Sequence, residues 1–394
     1  MPHDRTHLIV LGLGGLTLDL ATALAATGRL PNLARLLTEN AAAIEAERPA
    51  VAPVNRASLL TAASPGRHGI FGFTAMEPGL YRPVPYGDDA ICLPTLPQRL
   101  AAAGRTAVWI DSAVPEEAPA DTAPPMAALA RGIDASLAAR QKALAQEAAD
   151  DDWDLLFWNL PETTDIFRWH HAAVTRSEHP EHAAALNLLA AWDRALGAGL
   201  DRYAQVAGPK RLLAVADHGV AGLATEVDLN AWLSAEGLLA TGLREDGSVR
   251  ILPHQTAAFA LDSGRICINT KEHFARGVFH EHVAEELAVR LRHALLDLTF
   301  EDTPVMEAVL LAADFADGPL PLNAPDLICV GAPGMALSAR YDRPHIFGRF
   351  AATGCASPHD LLVCDSEASR PARMRDVGAA IAQALALPEV PERP

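Results

Sequence analysis

The 394-residue chain has no CxxC pair. Its five cysteines, Cys92, Cys267, Cys329, Cys355 and Cys364, are odd in number and widely scattered. That spacing excludes a disulfide framework and a zinc ribbon, and it leaves ordinary reduced thiols. Positive charge is also scarce: 32 Lys and Arg stand against 49 Asp and Glu, for a formal net charge of -17. Binding a nucleic-acid backbone draws on cations that displace counterions from phosphates, so no nucleic-acid partner is expected. The acidic surface serves solubility. No apolar run approaches the ~20 residues needed to span a bilayer. The stretch Leu8–Leu13, preceded by His3, Asp4 and His7, has no A-x-A-like cleavage site after it and reads as a first strand. No membrane span is expected, and with no export signal in view the expected address is cytoplasmic. Repeats and low-complexity tails are absent as well.

What is present is the balance of a folded globular chain, 50% hydrophobic and 21% charged. The length suits one large α/β domain with a decorating subdomain, or two ordinary domains. Short apolar runs bounded by turn residues mark strands at Leu8–Leu13, Ala43–Glu47, Thr106–Ile110, Leu155–Asn159, Leu212–Ala216, Leu327–Val330 and Leu361–Cys364. Amphipathic stretches alternate with them: Leu30–Leu37, Ser136–Ala148, His182–Tyr203 and Glu281–Leu296. This order predicts a mostly parallel sheet with helices on both faces. The segment from Asp228 to Phe300, with its own helix at Asn230–Glu236, breaks the rhythm and reads as an inserted subdomain, with 1–227 and 301–394 forming the core. Within it, Trp232 and Leu233 suit either a contact surface or the subdomain's own core. The Pro-, Ala- and acid-rich stretch Pro115–Pro125 reads as a surface loop.

Four stretches occur in order: LIVLGLGGLTLDL at the start, APVNRASLLTAASPGRHGIFGF, the strand end LLAVADHGV, and DLNAWLSAEGLLA followed by GRICINTKEHFARGV. Together they resemble successive landmarks of cytoplasmic type I phosphodiesterase/nucleotide pyrophosphatase proteins of the alkaline phosphatase superfamily, from near residue 8 to near residue 365. The resemblance implies an alkaline phosphatase-like α/β sandwich with metal ligands at the carboxyl ends of parallel strands, where open α/β sheets place their sites. Active members hold two divalent ions, usually zinc. These neutralise a phosphoester, activate a Thr or Ser nucleophile and stabilise the leaving oxygen, and each ion needs about three protein ligands.

Carried over residue by residue, much of that centre is missing. The family's Gly-Leu-Asp-Gly after the first strand is here Gly12, Leu13, Gly14 and Gly15, so the ligand position is Gly14; Asp19 lies further down the following helix. Counting back from Thr61 through the helix Asn55–Thr61 places the nucleophile at Ala52, a methyl in place of a hydroxyl. Ser58, the nearest hydroxyl, reads as a packing residue, and His68 as a hydrogen-bonded structural one. For the second metal Asp165 is present, but Trp169 stands where a His is expected, with His170 and His171 beyond it. The distant His of the family falls at Ala356, in Gly354-Cys355-Ala356, with His359 three residues on. Asp217, His218 and Gly219 alone match the family's Asp-His-Gly.

The reading that follows is a pseudoenzyme that keeps the phosphodiesterase scaffold, needs no cofactor, and acts by binding a protein partner or a small phosphorylated or anionic ligand. Asp217 and His218 then form either a residual single-metal or anion site or a locally hydrogen-bonded turn, and Asp165 reads as a loop carboxylate capping the next helix. One alternative is an active hydrolase with a rebuilt zinc or manganese centre, His170 and His359 replacing the lost ligands and metal-bound water replacing the nucleophile. Another takes Gly12, Gly14 and Gly15 as a dinucleotide-binding turn, although Thr17 fills its third glycine position.

Overall fold

The computed structural model describes residues 6–87, 90–111, 122–262, 264–317, 321, 323–348 and 351–388. Most of the expected loop Pro115–Pro125 lies outside them. Residues 122–125 lead into a helix that starts at Met126 and runs to Glu147, earlier than the Ser136 start read from periodicity. The six-stranded central sheet has the order Ala42–Ile44, Leu361–Asp365, Lys210–Ala216, His7–Leu13, Leu155–Leu160, Ala107–Ile110. The last four are mutually parallel, and Leu361–Asp365 runs antiparallel to both its neighbours.

The first strand is apolar without alternation because both its faces are covered. Ile9, Leu11 and Leu13 face a core shared with Trp158, Trp192 and Leu196. Leu8 and Val10 face another, shared with Leu59, Leu60, Met374 and Ile381. Period-two geometry thus sends alternate residues into two helical layers. At the antiparallel edge, Arg211 clamps Asp365 with Nε to Oδ1 at 3.0 Å and Nη2 to Oδ2 at 2.6 Å, both side chains buried.

A second, antiparallel sheet has the order Ala258–Ala260, Arg265–Ile268, Leu327–Gly331, Met306–Leu311. The run Leu327–Val330, read with the parallel series, therefore belongs here, since a short apolar run carries no information about which sheet it joins. Leu298 and Phe300 pack against the core of this second unit. Its core joins Met76 and Tyr81, from the hairpin Thr74–Glu77/Arg82–Pro85, to Val227, Phe259, Leu287, Leu291 and Cys329. Trp232 and Leu233 are buried in the same core and form no contact surface. Among the described residues, no helix is long and apolar enough to cross a membrane.

Leu11 is fully buried and Leu243 is 70% exposed. Leu11→Ala should cost about 2–5 kcal/mol of stability, and Leu243→Ala about 0.5 kcal/mol or less. Denaturant unfolding of the two variants checks the assignment of the core.

Candidate active site

The carboxyl ends of the parallel strands meet at one edge. Leu13 pairs with Ala216 and Leu160, which sets Gly14 beside Asp217 and beside Pro161. Gly15 turns the chain with φ at 68°, the left-handed region glycine tolerates best. Its carbonyl accepts from the Val220 N–H at 3.1 Å, and Leu13 O accepts from the Asp217 N–H at 3.2 Å. Asp217 Oδ1 lies 2.7 Å from His218 Nδ1, so the two side chains of the retained motif satisfy each other. Thr17 does not serve a phosphate turn: its side chain caps the helix Leu18–Ala26 by accepting from the Leu20 N–H. Asp19, in that helix's first turn, is exposed.

Gly14 is packed rather than open. A Cβ built there would lie 2.8 Å from Pro161 O and would collide with Thr164 Oγ1. Thr163 Oγ1 also donates to Gly14 O at 2.5 Å. The helix Glu162–Thr175 is anchored against the strand end because buried Glu162 accepts from Ser136 and from Arg140 Nε at 2.6 Å each, while Arg140 Nη1 donates to Asn159 O at 2.8 Å. On the other side of the sheet the helix at the family's nucleophile position starts at Ala52, earlier than the Asn55 read from sequence, with Pro53 in its first turn. Ala52 presents only a buried methyl.

Further along that helix, Ser58 and His68 are both fully buried, with Ser58 Oγ 2.8 Å from His68 Nε2. His68 Nδ1 accepts from the Ile70 N–H at 3.1 Å, which puts the ring proton on Nε2. Burial lowers the His68 pKa to about 3. A neutral imidazole that already donates to the hydroxyl cannot take its proton, so the pair is structural.

Around the second metal position, Asp165 is an exposed residue in the first turn of Glu162–Thr175, inside the helix and not a loop cap. Trp169 is buried, with the Arg168 guanidinium 4.9 Å from its ring. The helix kinks at His170 (φ -125°, ψ 26°). Thr353 enters the ladder there: its N–H donates to Arg168 O at 3.0 Å, and its Oγ1 donates to Trp169 O at 3.0 Å and accepts from the Ala172 N–H at 3.2 Å. His170 Nδ1 lies 3.6 Å from Glu181 Oε2, and its buried Nε2 has no hydrogen-bond partner among the described residues. Ala356 is exposed, on a strand paired with Gly219–Gly222. His359 does not take over from it: its Nδ1 lies 2.7 Å from Glu45 Oε2 and its Nε2 2.7 Å from Glu307 Oε2.

Sequence reasoning missed one polar cluster at this edge. Asp111, just past Ala107–Ile110, accepts from Asn159 Nδ2 at 2.9 Å and pairs with Arg56, one turn after Ala52. The available signal was a polar residue at or just past the end of the other parallel strands, Asp111, Asn159 and Asp217. The two-metal centre of the resembled family does not fit these residues. The nucleophile-side ligand position has no side chain and no room for one, and both nitrogens of the substitute His359 are taken. Among the described residues, no group of three or more His, Cys, Asp or Glu is placed to hold a metal ion.

The model of the type I phosphodiesterase/nucleotide pyrophosphatase family matches residues 8–349. No curated protein matches the chain by sequence. Among solved structures, phosphonoacetate hydrolase from Sinorhizobium meliloti 1021 in complex with phosphonoacetate is similar over 97% of this chain and 96% of its own, with a TM-score of 0.63 and 16% identity. The same hydrolase with phosphonoformate is similar over the same shares, with a TM-score of 0.61 and 17% identity. At that identity the likeness shows a shared fold, an alkaline phosphatase-like sandwich.

Two measurements probe this geometry. Gly14→Asp should lower stability by about 1–3 kcal/mol through overpacking, and Thr164→Ala in the same chain should recover part of that loss, read from denaturant midpoints. At His359, burial favours the neutral ring, but hydrogen bonds to Glu307 and Glu45 outweigh it and the net shift is upward. A raised folded-state pKa stabilises fully below the ordinary histidine value of about 6.5. The gain then fades as pH rises through the raised value. The difference in melting temperature between wild type and His359→Gln should be largest near pH 6 and shrink at alkaline pH.

Proposed function

Because the chain belongs to the type I phosphodiesterase/nucleotide pyrophosphatase family, we propose that it is a member whose catalytic centre has been dismantled and which works by binding instead of hydrolysis. The observation that carries this reading is the closed face of Gly14, where Pro161 O would stand 2.8 Å from any Cβ. A bare loss of a ligand could be reversed by one substitution. A loss whose space has been filled by the neighbouring helix is a rebuilt structure. Ala52 removes the nucleophile from a helix that otherwise keeps its place.

Of the two occupants the sequence suggests, a protein partner fits this edge better than a small anion. Arg56 is paired with Asp111, and both nitrogens of His359 face glutamates, so neither side chain is open to an incoming anion. Net charge adds long-range repulsion of anions. The rival reading, a hydrolase with a rebuilt metal centre, draws on one observation: the partnerless, buried Nε2 of His170, five residues after Asp165. Burial of that nitrogen and exposure of Asp165 set the two groups in different environments.

The wild-type protein, supplied with zinc or manganese, should hydrolyse bis(4-nitrophenyl) phosphate no faster than a metal-only blank. Metal-dependent turnover that His170→Ala removes would establish the hydrolase reading instead.

A further inference from the structure

Away from the strand ends, the second sheet borders a partly open cavity of about 200 Å³ that the reading above does not use. Its walls are Met76, Leu261 and Phe274, with Pro78 and Ala324 at the sides. Three polar groups face it. Asn323 spends both hydrogens of its Nδ2, on Gly69 O and on the Tyr86 hydroxyl at 2.9 Å each, which leaves its Oδ1 as an acceptor. Asp326 Oδ2 accepts from the Ile268 N–H at 2.6 Å, which fixes the carboxylate and leaves Oδ1 as a second acceptor. His273 is the third, and Cys267 contributes a thiol that burial keeps protonated.

We propose that this cavity is a binding site for a small primary ammonium compound with a compact apolar body, its N–H groups donating to Asp326 and Asn323 and its body lying against Met76, Leu261 and Phe274. Fixed acceptors on an apolar wall call for a ligand that brings donors and hydrocarbon together. The volume lies below the roughly 300–1,000 Å³ usual for drug-sized ligands, which restricts the body to about a single ring with a short arm. The charge of -17 raises the local concentration of cations around the protein. A site for a cation in the second sheet is independent of what the strand ends bind.

Asp326 also sets a pH dependence. Burial raises its pKa to about 6, opposed by the Ile268 N–H and by His273, while Glu281 adds to the rise. Above pH 6 the carboxylate is charged and receives the ammonium; below it the carboxyl is neutral and offers the ammonium no counter-charge.

Calorimetric titration of the full chain with phenethylammonium chloride, and with 2-phenylethanol as its uncharged counterpart, tests the site. Saturable binding of the amine is expected, at least tenfold tighter than the alcohol, weakened at least tenfold in Asp326→Asn and progressively lost between pH 7 and pH 5. Ala324→Phe, which fills the cavity while leaving Asp326, should abolish it and so separates the cavity from general attraction to an acidic surface. No saturable binding of the amine, equal affinity for the alcohol, an unchanged affinity in Ala324→Phe, or an affinity indifferent to pH would each overturn the proposal. The wild-type comparisons of ligand and pH stand even if a variant fails to fold.

Discussion

The carboxyl edge of the central sheet is governed by how closely the turn after the first strand approaches the start of the Glu162–Thr175 helix. Pro161 O and Thr164 occupy the space into which a side chain at residue 14 would project, and Thr163 bonds the Gly14 carbonyl. Only glycine permits that approach. Once it is made, the helix start is fixed from behind by Glu162 and Arg140, and every residue further along takes its position from this anchor. Asp165 is carried outward, Trp169 is buried, and His170 falls where Thr353 opens the ladder. A carboxylate at position 14 and this helix position are mutually exclusive, so Gly14 and the placement of the helix belong to one packing solution.

Carboxylates gathered near the strand ends pose an electrostatic problem, because like charges held close together are costly. The described residues meet it with basic side chains. Arg56 reaches Asp111 from the helix that begins at Ala52. His359 lies between Glu45, next to the edge strand of the central sheet, and Glu307, on the second sheet, with Arg48 3.5 Å from the same Glu307. The cost of closely spaced carboxylates is offset by neighbours of opposite charge. His359 thereby also links Glu45, beside the central sheet, to Glu307 on the second sheet.

Much of the fold could be read from the chain because burial on both faces writes itself directly into composition. The run LIVLGL needs helices on either side, and Glu281–Leu296 matches its helix at both ends because its apolar positions fall on a single stripe. What stayed hidden was pairing. Leu327–Val330 looks like any buried parallel strand, yet it bonds to Arg265–Ile268 and Met306–Leu311, and nothing in four apolar residues specifies that choice. The helix Ala52–Thr61 was placed late for a local reason: the Pro in its first turn reads as a breaker, although it is well suited to that position.

For the site, single positions were legible and relationships were not. Gly14 and Ala52 announce a missing ligand and a missing hydroxyl by identity alone. That Gly14 is also closed depends on Pro161 and Thr164, about 150 residues away in sequence and in contact only through the parallel register of Leu13 with Leu160. His359 shows the same limit from the other direction. Three residues from Ala356, it looks like a replacement ligand, and only the placement of Glu45 and Glu307 engages both its nitrogens. A histidine's chemistry is set by what its two nitrogens face, and here both face carboxylates drawn from distant parts of the chain. Substitution at ligand positions therefore argues for loss of a metal centre most strongly where, as at Gly14, the vacated volume has been taken by backbone, because backbone cannot be moved aside by a change of rotamer.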